Sequence, residues 1–534
     1  MPDPTNPLAA FLPVTRAWFE HTLGQPTPPQ QQGWPAIQRG DHTLILAPTG
    51  SGKTLSAFLW GIDRLLSSEL RGARGDVEQV SALQETRVKG RKVTKRRNSP
   101  LATRPSLRLI YISPLKALNN DIERNLRVPL AGIASIARER GEELPAISVA
   151  VRSGDTPSRE RQAMVRKPPH ILITTPESLY ILLTSPAGRE MFRTVETVIV
   201  DEIHTLAGSK RGVHLALSLE RLQQIAAQPV QRIGLSATIR PLDEVARYLG
   251  GAAWQGEGED RRLTARPVTI VDAGYRKPLD LRVESVVDDF RDLAGDSIWP
   301  HVMPRVVDLI EQHRTTLIFV NNRRLAERAA DWINEVRGAR EEIGGLGEGE
   351  IERGGETGRG GEGATAGPDP TRFSQLAPRN SQGLYEGGVA KGIGMFGAGR
   401  GTHADPIRAH HGSMSKETRL ALEQALKAGT LPALVGTSSL ELGIDIGAVD
   451  LVVQLQSPKS VAQGLQRVGR AGHLVGQTSR GRIFPTHRED IMEAAAVAGG
   501  MLAGEVEPLH TPRNSLDILA QQIVAMVSVE PWAV

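Results

Sequence analysis

The chain has 534 residues, no cysteine, and 64 lysines and arginines against 60 aspartates and glutamates. At roughly 100–200 residues per domain this leaves room for about three domains, and a 40% hydrophobic content can fill their cores without covalent staples. Lacking thiols, the protein cannot use disulfides, iron–sulfur clusters, cysteine nucleophiles or cysteine zinc sites, which fits a reducing cytoplasm, and a net charge of +4 names no partner.

The first residues, MPDPTNPLAAFLPVTRAWFE, lack the basic start and apolar centre of a signal peptide. No run approaches the 18 or so apolar residues that a membrane span needs, so no membrane partner is expected. A first series of short apolar runs follows: TLILA (43–47), LRLIYIS (107–113), ISVAV (147–151), HILITT (170–175), TVIVDE (197–202) and RIGLSAT (232–238). A second comprises TTLIFVN (315–321), IRAHHG (407–412), ALVGTS (433–438), LVVQLQ (451–456) and GRIFPT (481–486). Near-continuous Val/Ile/Leu runs alternating with helical stretches predict α/β domains with parallel sheets covered on both faces. Nearly every run ends in Gly, Ser, Thr, Asp or Pro, and ligands of open α/β sheets bind beyond the carboxyl ends of the strands. Two such sheets are expected to present two polar rims to one cleft.

Two segments interrupt this pattern. Residues 70–105 read as a polar loop containing RVKGRKVTKRR (87–97), either a solvated loop or an auxiliary nucleic-acid contact. Residues 338–401 hold 20 of the 55 glycines and read as a disordered insertion, having too few large apolar side chains to offset their ordering entropy. Near the end, Leu516, Leu519, Ile523 and Met526 or Val527 recur at helical spacing and predict a helix with one apolar face that needs a partner. The expected domains are 1–262, 263–508, and the start of a third at 509–534.

APTGSGKT (47–54) lies between the first strand and a helical run, the context of a phosphate-binding loop. Gly50 and Gly52 let the backbone N–H groups of Thr49, Gly50, Ser51 and Gly52 converge on phosphate oxygens. Lys53 supplies a point charge and Thr54 a hydroxyl for Mg²⁺. Ala47 stands where the usual pattern has a glycine. In VIVDEIH (198–204) the apolar run carries Asp201 to the sheet edge, where it can hold the metal through water, and Glu202 can orient or deprotonate the attacking water. ATP and Mg²⁺ are the expected cofactors. His204, His410 and His411 lack any metal-ligand spacing and are read as structural or as part of a nucleic-acid track.

In chain order the motifs are APTGSGKT, SPLKALNND (113–121), TTPESL (174–179), DEIH (201–204), SAT (236–238), TSSLELGID (437–445) and QRVGRAGH (466–473). Together they resemble superfamily-2 helicases with two RecA-like domains. SPLKALNND, AHHGSMSKETR (409–419) and GTSSLELGIDIGAVDLVVQLQSP (436–458) are most similar to the large helicase-related, or Lhr-type, family. The likeness spans about residues 10–534 apart from the two insertions.

The resemblance implies that Arg467 and Arg470, one turn apart on a helix, reach across the cleft to the γ-phosphate, a device worth roughly 10³–10⁵ in rate. Hydrolysis would then require domain closure. It implies that Gly443 and Asp445 contact nucleotide and sugar, and that PTPPQ (26–30) reads adenine through Gln30, with Gln31 and Gln32 as alternatives. A nucleic-acid track would comprise Ser113, Lys116, Arg152, Ser153, Gly154, Thr175 and Glu177 on the first domain. Asn321, Arg323, His411, Thr437 and Ser438 would continue it on the second, and such groups read phosphate and sugar rather than sequence. Ser236 and Thr238 would couple the two sites. The resemblance further implies a helicase moving 3′ to 5′ on single-stranded DNA, unwinding DNA or RNA:DNA duplexes in DNA repair, with the last helix opening a winged-helix domain. Two alternatives stand beside it: an RNA helicase that melts short duplexes locally, and a truncated chain that binds nucleotide and nucleic acid without unwinding. Other phosphate-loop classes fit poorly, since neither an NKxD nor an LSGGQ motif is present.

Overall fold

The computed structural model describes residues 6–530 except 49, 86–105, 238, 257, 275–276, 294–296, 350–405, 442–446 and 473–476. The described chain folds into two compact units. Among the described residues the first comprises 6–274 and 506–530, and the second 277–441 and 447–505.

The first unit opens with α1 (Pro13–Thr22) and α2 (Pro28–Arg39), followed by β1 (His42–Leu46) and α3 (Lys53–Glu85). Then come β2 (Leu109–Ile112), α4 (Lys116–Glu139), β3 (Val149–Arg152), α5 (Ser158–Arg166), β4 (Ile171–Thr174), α6 (Pro176–Leu183) and α7 (Pro186–Phe192). β5 (Thr197–Val200), α8 (His204–Ala207), α9 (Lys210–Ile225), β6 (Gln231–Ser236), α10 (Leu242–Gly250), β7 (Ala252–Gln255), β8 (Arg262–Ala265) and β9 (Val268–Asp272) complete this run. Seven strands form one parallel sheet in the order β3-β4-β2-β5-β6-β1-β9. Alternation along each strand feeds two cores. Leu44 and Leu46 pack on one face with Ile110 and Ile112, while Ile45 packs on the other with Leu109 and Tyr111. Side-chain caps set the helix starts: Thr175 accepts from the Ser178 N–H, Ser185 from Gly188 and Ser209 from Gly212.

The second unit contains β10 (Leu279–Val283), α11 (Trp299–Glu311), β11 (Thr316–Phe319), α12 (Arg323–Gly349), β12 (Ile407–His410), α13 (Lys416–Lys427) and β13 (Ala433–Gly436). It continues through β14 (Leu451–Leu455), α14 (Val461–Val468), β15 (Ser479–Phe484) and α15 (Arg488–Ala503). Its parallel sheet runs β10-β15-β14-β11-β13-β12. The α/β class and the tandem parallel sheets expected from the apolar runs are therefore present.

β9 pairs with β1 along its whole length and so joins the sheet of the first unit. The structure departs from the sequence reading at the starts of the two insertions. α3 continues to Glu85 and α12 to Gly349, so both expected loops begin as helix. In α12 the turn at Arg340 is tied down by ion pairs to Asp308 at 2.8 Å and Glu311 at 3.2 Å. The basic stretch 87–97 and most of the glycine-rich segment lie outside the described residues.

The expected last helix is present as α16 (Leu516–Val527), which packs against α9 in the first unit. Its buried side is not the apolar stripe. Gln522 and Ala525 face inward, whereas Leu516, Ile523 and Val524 are 70%, 50% and 64% exposed. Gln522 accepts a hydrogen bond from Arg221 at 2.8 Å and donates to the His214 carbonyl at 3.3 Å. No described helix is long and apolar enough to cross a membrane.

Candidate functional site

The carboxyl edge of the first sheet divides into two neighbouring halves. β5, β6 and β1 are adjacent, and so are β3, β4 and β2. The residues expected at the phosphates follow the first three strands, and those of the nucleic-acid track follow the other three.

β1 delivers the chain into the loop that α3 leaves at Lys53. Gly50 and Gly52 have φ of 82° and 81°, the left-handed region in which a side chain is strained. A Cβ on Gly52 would also meet Gln30 Nε2 at 2.9 Å. Gln30 is itself fixed, its Oε1 accepting the Thr27 N–H at 2.9 Å, so α2 holds this amide against the phosphate loop. Ser51 donates back to the Pro48 carbonyl at 2.7 Å. Lys53 Nζ is buried without a hydrogen-bond partner among the described residues, 3.6 Å from Glu202 Oε2. A buried, unsatisfied ammonium at the mouth of a helix N-terminus suits an anionic phosphate.

Asp201 and Glu202 leave β5 at 3% and 5% exposure. Glu202 has a φ of 45°, a costly left-handed conformation that turns its carboxylate toward Lys53. Asp201 Oδ1 accepts the Glu202 N–H at 2.8 Å, and its Oδ2 accepts the Tyr111 hydroxyl. Burial and the neighbouring Glu202 charge raise the Asp201 pKa to about 6. Burial pushes the Tyr111 phenol well above its ordinary range, with the Asp201 charge adding to it, so the phenol keeps its proton. Thr54 and Asp201 supply a hydroxyl and a carboxylate, hard oxygen donors of the kind Mg²⁺ takes alongside water and phosphate.

His204 lies 3.6 Å from Glu202 and 3.2 Å from the Ser236 hydroxyl, and burial lowers its pKa to about 4. A neutral imidazole thus spans from the carboxylate to the end of β6. Thr49 and Thr238 lie outside the described residues, as do Gly443 and Asp445.

On the other half of the edge, Ser113 is buried and donates to the Leu115 carbonyl at 3.1 Å, and Lys116 opens α4. Arg152 ends β3; Ser153 and Gly154 form the turn after it, the Ser153 N–H donating to Thr156 at 2.9 Å. Thr175 caps α6, and Glu177 is ion-paired with Arg211 at 2.5 Å.

In the second unit, Asn321 and Arg323 follow β11, His411 follows β12, and Thr437 and Ser438 follow β13, three adjacent strands. His411 bonds Glu327 at 2.9 Å, and Arg323 donates to Ser413 at 2.6 Å. The two arginines expected at the γ-phosphate are buried within this unit. Arg467 Nε donates to Glu441 Oε1 at 2.7 Å, and a terminal nitrogen donates to the same atom. Its other terminal nitrogen serves Asn321 at 3.0 Å and Gln454 at 2.7 Å, and the guanidinium lies 5.3 Å from the Phe319 ring centre. Four of the five N–H donors of Arg467 are so used inside the unit. Arg470 donates to the Glu441 carbonyl at 2.6 Å.

Sequence reasoning missed Tyr111, Glu441 and Lys277. A hydroxyl inside LRLIYIS and an acid inside SSLELG are polar atoms in buried apolar runs, a signal that could have found them. Lys277 donates to the Ala471 carbonyl at 2.7 Å and carries a pKa lowered to about 8 by burial and by the Arg470 charge. Nothing local distinguishes it.

Residues 27–245 match the DEAD/DEAH box helicase family and residues 400–474 the helicase conserved C-terminal domain. The chain is 46% identical over 528 residues to the Lhr helicase/probable uracil glycosylase of Mycolicibacterium smegmatis, covering 98% of this chain and 30% of that protein. It is 38% identical over 519 residues to the ATP-dependent helicase Lhr-Core of Methanocaldococcus jannaschii, covering 97% of this chain and 49% of that one. The solved Mycobacterium smegmatis helicase Lhr bound to ssDNA and AMP-PNP superposes with a TM-score of 0.73 at 44% identity, covering 98% of this chain and 54% of that one. The chain spans about half, or less, of the length of these relatives.

Proposed function

We propose that this chain, which belongs with the Lhr-type helicases over nearly its whole length, is an ATP- and Mg²⁺-dependent helicase that translocates on single-stranded DNA. One observation carries the ATPase: a buried Lys53 ammonium without a hydrogen bond, on a left-handed glycine loop and 3.6 Å from Glu202. Lys53 and the loop amides bind the β- and γ-phosphates, Thr54 and Asp201 hold the metal, and Glu202 orients the attacking water. Gln30 is the adenine-reading amide, and Arg470 is the cation that meets the γ-phosphate. Held by Thr54 and Asp201, Mg²⁺ would supply positive charge beside the phosphates.

The nucleic-acid reading rests on two observations. Phosphate-compatible turns and caps recur after three adjacent strands in each sheet, and the superposed relative is bound to single-stranded DNA. Movement 3′ to 5′, unwinding of RNA:DNA hybrids and a role in DNA repair are part of the same proposal. A strand-displacement assay with 3′- and 5′-tailed DNA and hybrid duplexes tests it, with ATPase measured in matched DNA and RNA oligomers. Stimulation by DNA and displacement from 3′ tails is the expected result. An ATPase that neither polymer stimulates would overturn the helicase reading, and stimulation by RNA alone would reassign the substrate.

A further inference from the structure

We propose that Tyr111 is a positioning residue for the metal site, holding the Asp201 carboxylate in register with Thr54. The proposal rests on the ATPase reading above and deepens it. Tyr111 lies on β2, 90 residues from Asp201 in sequence, and its hydroxyl donates to Asp201 Oδ2. The other oxygen, Oδ1, is held by the Glu202 N–H. The carboxylate is thereby fixed in rotation about its own axis while keeping lone pairs for a metal-bound water.

The ring is fixed as well. It stacks on Phe58 with centroids 4.9 Å apart and planes 22° from parallel. Phe58 stands four residues after Thr54 on α3, one turn along the same face. One aromatic pair therefore ties the helix bearing the metal's hydroxyl to the strand end bearing its carboxylate. Tyr111 is fully buried among apolar side chains of the first core, so its hydroxyl is the polar tip of an apolar wedge.

The chemical type of the donor matters. Lysine or arginine at position 111 would neutralise Asp201 and compete with a divalent cation for it. A phenol offsets part of the desolvation of the carboxylate by a hydrogen bond and leaves its charge available. Hydrogen-bond partners standing behind metal-holding residues commonly govern affinity by about 10–100-fold.

The test is Tyr111→Phe in the full chain, which removes one oxygen and keeps the stack. Binding of Mn²⁺ in the presence of a non-hydrolysable ATP analogue, followed by electron paramagnetic resonance, should weaken about 10-fold or more. The Mg²⁺ concentration for half-maximal ATPase should rise in parallel, while analogue binding without metal stays unchanged. Phe58→Leu, which loosens the ring but keeps the hydroxyl, should shift the same metal dependence by a smaller factor. A Tyr111→Phe protein with lowered thermal stability but unchanged metal affinity overturns the proposal, because a merely structural phenol gives that result. If Tyr111→Phe does not fold, an unchanged metal dependence in Phe58→Leu overturns it instead. A wild-type protein that binds no Mn²⁺ with nucleotide present would instead sink the ATPase reading beneath it.

Discussion

Arg467 and Glu441 form a buried ion pair inside the second unit, at 2% and 7% exposure, from positions 26 residues apart. Glu441 also accepts from Gln463 at 3.0 Å, and its backbone carbonyl receives Arg470. One residue thus contacts both arginines. Removing one partner of a buried pair costs roughly 3–5 kcal/mol, because the other charge is left uncompensated. Arg467→Ala should lower the unfolding midpoint far more than Arg470→Ala, whereas Arg470→Ala should lose kcat with nucleotide affinity nearly intact. Thermal melts paired with steady-state ATPase decide it; equal melts for the two variants would return Arg467 to the γ-phosphate.

Glu202→Gln keeps the shape of the water-orienting side chain but removes its charge. ATPase should fall by at least about 100-fold, the lower range for loss of a positioned base, while ATP binding persists. Lys53→Ala should lose binding as well, since the proposed role of the ammonium is to hold the phosphates. Nucleotide titration by fluorescence separates the two, and hydrolysis retained in Glu202→Gln would displace that residue from its role.

Gly52→Ala places a Cβ 2.9 Å from Gln30 Nε2 at a φ of 81°. The loop must distort and Gln30 must move, so the KM for ATP should rise by about 10-fold or more, the order expected from a strain of 1–3 kcal/mol. Stability should change less than affinity. An unchanged KM would show that Gln30 and the loop are not packed together when nucleotide binds.

Asp63, buried on α3, accepts the Leu12 N–H at 2.9 Å at the start of α1, and burial raises its pKa to about 6. A carboxyl whose folded pKa exceeds its unfolded one binds more protons when folded, so its contribution falls as pH rises from about 4 to about 6. Asp63→Asn should remove that slope and make the variant more stable than wild type at pH 7, by at most about 3 kcal/mol. Denaturant melts at pH 4.5 and 7 measure the difference. A variant that follows the wild-type pH dependence would exclude Asp63 as its source.

The strands facing two cores were legible because alternate-face burial writes continuous apolar runs, as in TVIVDE and ALVGTS. β9 and β10 were not, since they are edge strands with half-buried, mixed residues such as VTIVD and LDLRV. The left-handed glycine turn at Gly50 and Gly52 and the strand-end acids Asp201 and Glu202 were legible because they are local in the chain. Tyr111–Asp201 and Arg467–Glu441 join residues 90 and 26 positions apart, and no spacing rule announces such a pair. α16 was legible as a helix with an apolar stripe, and that stripe, with Leu516, Leu519 and Ile523, stands exposed. Its buried side was not legible, because Gln522 turns inward to meet Arg221, 301 residues away in the chain.

The segment from Val506 onward returns to the first unit after the second has been traversed. Pro508 bridges Arg240, the Leu509 N–H donates to the Arg240 carbonyl at 2.7 Å, and Gln522 closes over Arg221. On the ribosome, the unit synthesised first is therefore completed only after the second has emerged. Its α9 face waits, with the Arg221 guanidinium uncovered, until more than two hundred further residues have emerged. A cut at residue 276 would not yield two self-sufficient halves, and expression of the first unit alone should be designed with residues 506–530 grafted back or supplied in trans.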